Sequence, residues 1–115
     1  MRHVVEQHED PRPLTEPVLL ILVSLAEKPR HGYALMKDIE ILSGGRVRLS
    51  TGTLYGALRR LLEDGWIERH EQEDTSREKQ AYRLTSAGRV QVERELARLR
   101  QLMRAASARL RMKEA

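Results

Sequence analysis

The 115-residue chain contains no cysteine and no phenylalanine, and only one tryptophan and three tyrosines. Without cysteine it can form no disulfide, no thiolate nucleophile and no cysteine-ligated zinc site. Its longest apolar run, Val18 to Val23, falls far short of the ~20 residues a membrane-spanning helix requires. Nothing at its start resembles a signal peptide, so the expected setting is soluble and cytoplasmic, away from any membrane. The four histidines make no metal site: His3 and His8 lie in a polar leader, and His31 and His70 are far apart without an evident carboxylate partner. Nucleophile-elbow, phosphate-loop and glycine-rich dinucleotide patterns are all missing. The acidic pairs Glu9-Asp10 and Glu73-Asp74 sit in polar stretches where solvated surface is the ordinary role. The sequence is therefore read as that of a non-enzyme with no cofactor.

What is present is a modest core and a heavily charged surface: 40% hydrophobic residues, 33% charged, net charge +4. One domain is expected at this length. The positive balance permits a polyanionic partner without proving one.

The chain is organised around Ser50 to Gly65. Ser50 or Thr51 can cap a helix, and Gly65 can end it in the left-handed conformation. Leu54, Leu58, Leu61 and Leu62 form one apolar stripe. The opposite side carries Thr53, Tyr55, Gly56, Arg59 and Arg60. Small and hydroxylic residues in front of arginines suit a helix that enters the DNA major groove. An ordinary amphipathic surface helix would have a similar pattern.

Residues 1–13, with Pro11 and Pro13, read as a mobile polar arm. Thr15, Glu16 and Pro17 are start signals for a helix through Ala26 that should be the most buried element. A buried strand is the competing reading of so short an apolar run. Pro29 to Gly32 reads as a turn. A helix from Tyr33 to Leu42 follows, with Leu35, Met36, Ile39 and Leu42 on one face and Gly44-Gly45 closing it. Arg46 to Leu49 alternates as a very short strand would. Trp66 to Glu71 and Ala81 to Thr85 are strand candidates around a charged hairpin tip, Gln72 to Lys79. Trp66 itself reads as core or interface filler. This order predicts a mainly α fold with a small β-wing: a winged helix-turn-helix over residues 14–85.

Residues 86–115 read as one long helix. Val92, Leu96, Leu99, Met103, Ala106 and Leu110 step by four, three, four, three and four, which is a heptad seam. At ~1.5 Å per residue the helix would run roughly 35–40 Å, beyond what so small a core can cover. A second copy of the chain is the expected cover, and a helix folded back on its own domain is the alternative. With no aromatic residue in this helix, any pocket beside it should be aliphatic and methionine-lined.

Four motifs in order carry a family resemblance: His31-Gly32-Tyr33-Ala34-Leu35; Gly52 to Leu61, with Thr53-Leu54-Tyr55 at its front; Asp64-Gly65-Trp66-Ile67; and Tyr82-Arg83-Leu84-Thr85-Ser86-Ala87-Gly88. They resemble the PadR family of transcriptional regulators, in its short form with a single C-terminal dimerisation helix. The resemblance implies a homodimeric winged-helix protein that binds double-stranded DNA at a pseudo-palindromic operator. Such proteins are usually repressors released by a small effector, here expected to be hydrophobic or aromatic. It places Thr53 and Tyr55 at the front of the recognition helix, Tyr33 at the start of the preceding helix, and Arg77 and Lys79 in the wing. Ser50, Thr51, Arg59 and Arg60 complete the expected DNA-binding set. The chain departs from the family at Gly56, where proline is frequent, and at Ala81, where a second aromatic is. Glu71, Glu73 and Asp74 make one side of the wing acidic, which favours a rival: the same fold serving as a protein-interaction adaptor. A regulator with no ligand, controlled by a partner protein or by abundance, is a second rival.

Overall fold

A computed structural model describes residues 13–70 and 80–114 of the chain. The first helix, α1, spans Glu16–Glu27. Thr15 caps it, its hydroxyl accepting from the Val18 amide at 3.4 Å. It ends because Lys28 precedes Pro29, whose ring disfavours helical backbone in the residue before it; Lys28 is extended at φ −172° and ψ 162°. The segment is thus a helix and not a strand. Ile21, Leu22 and Leu25 are buried, but Leu19, Leu20 and Val23 remain half-exposed, so α1 is not covered all round. Ser24 is buried as well, its hydroxyl donating to Asp38 at 2.6 Å.

Arg30–His31 form a two-residue strand, β1, where the sequence pointed to a turn. Helix α2 spans Gly32–Leu42 and buries Leu35 and Ile39. Leu42, expected on the same face, is 45% exposed. The strand expected over Arg46 to Leu49 does not form. Gly44 and Gly45 both adopt positive φ, and Ser43 then takes up the next donors: its carbonyl accepts from the Arg46 amide and its hydroxyl from the Val47 amide at 2.9 Å.

Helix α3 spans Thr51–Asp64 with Ser50 as its cap and Gly65 at φ 78° as its stop. Strands β2, Ile67–His70, and β3, Ala81–Leu84, pair antiparallel with Ile67 opposite Leu84 and His70 opposite Ala81. β1 adds to the other edge of β3, with Arg30 opposite Tyr82, so β3 is central.

Helix α4 spans Ser86–Glu114, roughly 43 Å at ~1.5 Å per residue. Its first turns lie on the domain through Gly88, Gln91, Val92 and Glu95, all buried. A Cβ on Gly88 would stand 2.1 Å from the Trp66 carbonyl oxygen, so only glycine lets the helix seat this closely. Val92, 8% exposed, belongs to the protomer's own core with Ile21, Leu58 and Trp66. That corrects its place in the seam. A partner cannot use a side chain that its own domain already covers. Beyond Glu95 the stripe is bare: Leu96, Leu99 and Ala106 are exposed, as are Met103 at 63% and Leu110 at 66%. Most of α4 therefore does not fold back on its own domain.

Candidate nucleic-acid interface

Helices α2 and α3 with the β2–β3 pair make a helix-turn-helix and its wing. Leu54, Leu58 and Leu61 bury one side of α3, which turns Thr51, Gly52, Thr53, Gly56, Arg59 and Arg60 to solvent. Ser50 has a local role. Its hydroxyl accepts from the Thr53 amide at 3.1 Å and donates to the Thr53 hydroxyl at 3.0 Å. Thr53 can still donate its own hydroxyl proton outward, and Thr51 is exposed beside it.

Several arginines of the domain are paired. Arg30, Arg46, Arg48, Arg83 and Arg98 each meet a carboxylate: Glu27 and Asp38, Glu16, Glu40, Glu68 and Glu95 respectively. Among the described residues Arg59 and Arg60 meet none, as is also true of Arg69, Arg89, Arg100 and Arg104; what is particular to Arg59 and Arg60 is their place together on the exposed face of α3, with Glu63 and Asp64 one turn further along. They are solvated cations whose charge is available to an external anion.

Tyr33, 67% exposed, opens α2 beside this surface, and Lys37 one turn on directs its ammonium to the ring at 5.4 Å from the centroid. Tyr55 is less free than its position on α3 implies. Its ring tip rests on Gly32, where a Cβ would be 2.3 Å from the Tyr55 hydroxyl oxygen. Tyr82 lies near it. Burial, and after it the neighbouring Tyr55, push the Tyr82 phenol above its ordinary pKa, and Arg69 opposes them.

Thus Tyr33, Ser50, Thr51, Thr53, Tyr55, Arg59 and Arg60 come from two consecutive helices, with Ser50 capping α3 and Tyr55, 36% exposed, resting its ring tip on Gly32. Arg77 and Lys79 lie outside the described residues. Two cations that sequence reasoning passed over are Lys37 and Arg69. Lys37 is legible as one helical turn from Tyr33, whereas Arg69 is not, because strand alternation puts it on the same face as buried Ile67 and only its place near the end of β2 leaves it exposed.

An open groove of about 930 Å³ runs between the start of α1 and α3. Leu14, Val18, Ala57, Leu61 and Trp66 supply apolar lining, and Thr15, Thr53, Arg59, Arg60 and Asp64 polar lining, so the groove shares Thr53, Arg59 and Arg60 with the exposed face of α3. No residue of α4 lines it. Among the described residues no cluster of three or more histidine or acidic side chains could hold a metal ion, and no helix is long and apolar enough to cross a membrane.

A bare, hydroxylic and cationic helix set behind a second helix and flanked by an antiparallel wing defines the winged-helix class. Residues 21–94 match the Transcriptional regulator PadR-like family, and the chain belongs to that family. An uncharacterized 37.1 kDa protein in transposon TN4556 of Streptomyces fradiae is 43% identical over 77 residues, covering 67% of this chain. The chain spans only 21% of that relative's length. A PadR family transcription regulator from Clostridium difficile R20291 superposes with a TM-score of 0.69 at 23% identity, over 84% of this chain and 99% of that one. Bacillus subtilis PadR, solved in complex with operator DNA, superposes with a TM-score of 0.59 at 24% identity, over 69% of this chain and 45% of that one.

Proposed function

We propose that this regulator is a cytoplasmic homodimer that binds a pseudo-palindromic operator in double-stranded DNA, acts as a repressor, and is released by a small hydrophobic or aromatic effector. The observation that carries the reading is the pair of arginines, Arg59 and Arg60, left without carboxylate partners on the helix that a winged-helix protein inserts into DNA. Thr51 and Thr53 at the front of α3 would meet base edges or thymine methyls, and Tyr33 and the arginines would meet phosphates. Each phosphate neutralised releases counterions and steepens the dependence of affinity on salt.

Dimerisation is supported by the exposed stripe Leu96, Leu99, Met103, Ala106 and Leu110. Leaving such side chains in water forgoes on the order of 1.5–3 kcal/mol for each one that could be fully buried. The half-exposed side of α1, with Leu19, Leu20 and Val23, offers further apolar surface for the partner's helix. A symmetric dimer would hold two recognition helices about one turn, roughly 34–36 Å, apart on the duplex. An effector in the groove between α1 and α3, which Thr53, Arg59 and Arg60 also line, would compete with DNA for that face and shift the equilibrium by its differential affinity for the free and DNA-competent forms.

The adaptor reading drew on Glu71, Glu73 and Asp74, which lie outside the described residues. The unpaired cations on α3 favour a polyanion instead. Selecting bound fragments from genomic DNA tests the proposal: an enriched inverted repeat with half-sites one turn apart is expected. No enrichment, with no salt-dependent affinity for mixed-sequence duplex, would exclude it. A thermal-shift screen with phenolic acids and cationic drugs tests the effector, because a ligand of the folded state raises its apparent stability.

A further inference from the structure

Gly32 begins α2 with ordinary backbone dihedrals, so nothing in its conformation requires glycine. What a side chain there would meet is the Tyr55 ring. A Cβ there would stand 2.3 Å from the Tyr55 hydroxyl oxygen and 2.9 Å from the carbon that bears it, while Leu54 would be at an ordinary 3.5 Å. The tip of the Tyr55 ring is thus seated on the first residue of the preceding helix. Its hydroxyl makes no hydrogen bond among the described residues. The same side chain stands near Tyr82, which is buried and lies on the central strand opposite both Arg30 and Arg69. Tyr55 therefore starts on the recognition helix, rests on the start of α2 and borders the wing.

We infer that Tyr55 is a positioning residue and not a DNA-contacting one: seated on Gly32, its ring fixes the angle of the recognition helix against α2. The inference rests on the DNA-binding reading above and reverses the contact role that the sequence pattern implied for Tyr55. Its physical basis is that a rigid ring whose tip is seated on Gly32, even with 36% of the residue exposed, resists rotation of α3 against the start of α2. A tyrosine that reached for a phosphate would have to leave its seat. Gly32 and Tyr55 then form one unit, although each lies in a different sequence motif.

The test is a double-substitution cycle in the full chain, with affinity for an operator fragment, or for mixed-sequence duplex if no operator is known, measured by fluorescence anisotropy. Tyr55→Phe keeps the ring and is expected to bind within about twofold of the unsubstituted chain, with an unchanged salt slope. Tyr55→Ala and Gly32→Ala are each expected to weaken binding about tenfold or more, the second because its methyl evicts the ring. In the Tyr55→Ala background, Gly32→Ala should cost almost nothing further, since the clash has gone. Circular dichroism establishes that each variant is folded, and if Gly32→Ala is not, the Phe and Ala variants at Tyr55 decide alone. A Phe variant as weak as the Ala variant overturns the inference, as do losses that multiply in the double variant. An unsubstituted chain that binds no duplex sinks the DNA-binding reading and this inference with it, a result distinct from either of those.

Discussion

Arg59→Ala provides the sharpest perturbation of the proposed interface. Arg59 is exposed and meets no carboxylate among the described residues, so its removal orphans no partner. Stability should change by no more than about 0.5 kcal/mol, as for most surface substitutions. In a homodimer the substitution is made twice, so two phosphate contacts are lost. Each contributes about 0.9 to the slope of log affinity against log salt, and the slope should flatten by roughly 1.8. Between about 50 and 200 mM salt, a fourfold change, that difference compounds to about twelvefold. The variant should thus be most impaired at low salt and recover most of its relative deficit at the upper end. A phosphate contact is blind to sequence, so the loss should be similar on the selected operator and on a scrambled duplex. The assay is fluorescence anisotropy over a salt series, with sedimentation confirming that the dimer persists. Parallel salt lines for the variant and the unsubstituted chain would refute the reasoning, because they would mean that Arg59 neutralises no phosphate. A loss confined to the operator would move Arg59 from backbone contact to base reading.

Three other perturbations test the rest of the architecture. Gly88→Ala forces a methyl to 2.1 Å from the Trp66 carbonyl oxygen, which is backbone and cannot swing aside; urea denaturation should show a loss of about 1–3 kcal/mol, and an unchanged midpoint would contradict the tight seating of α4. Leu99→Asp places a carboxylate on the exposed stripe, where burial in a dimer would strip its water. Sedimentation velocity should then give a folded monomer, and a tight dimer would relocate the interface. The Glu95 carboxyl is held below its usual range by the Arg98 guanidinium, and also by the Leu14 amide, against the opposing effect of burial. Its stabilisation is therefore present above the unfolded carboxylate value of about 4.3 and is lost as pH falls through the lowered folded value. Glu95→Gln should flatten the fall of the thermal midpoint on acidification, and an identical fall in both proteins would discount this group.

The parts of the fold that could be read from sequence are those with a strong local cause. Helix α3 announces both ends, with a hydroxyl cap at Ser50 and a left-handed glycine at Gly65, and its leucine spacing identifies its buried side. Strands β2 and β3 show through their apolar residues and the charged stretch between them. Strand β1 does not, because two residues cannot display a period of two, and its pairing with β3 is decided by tertiary contact alone. The competing segment, Arg46 to Leu49, has the right alternation but loses its donors to Ser43. Val92 illustrates a second limit. Spacing places it in the seam of α4, but spacing cannot tell which turns the helix's own domain already covers. Tyr55 illustrates a third, since its helix position is legible whereas its contact with Gly32, on another helix, is not. The hydroxyl and arginine surface of α3 needed no such contact and was apparent from composition and order.

The packing also joins the two ends of the proposed mechanism. The Thr85 hydroxyl donates to the Gly65 carbonyl at 2.7 Å and accepts from the Gly88 amide at 3.0 Å, so one side chain ties the stop of α3 to the first turn of α4. Beside it, the Thr85 amide donates to the Trp66 carbonyl at 3.1 Å, the same oxygen against which Gly88 is packed. The end of the recognition helix and the start of the terminal helix therefore share a short, hydrogen-bonded joint with no room for a side chain to act as a cushion. Gln91, Val92 and Glu95 extend this attachment along the next turns. If the exposed remainder of α4 pairs with a second copy, this joint offers a route by which a rotation of one terminal helix against the other would be passed to α3. An effector in the groove between α1 and α3 would reach the same joint from the α3 side, and would shift the spacing of the recognition helices only by as much as it discriminates between the two packings of the terminal helices.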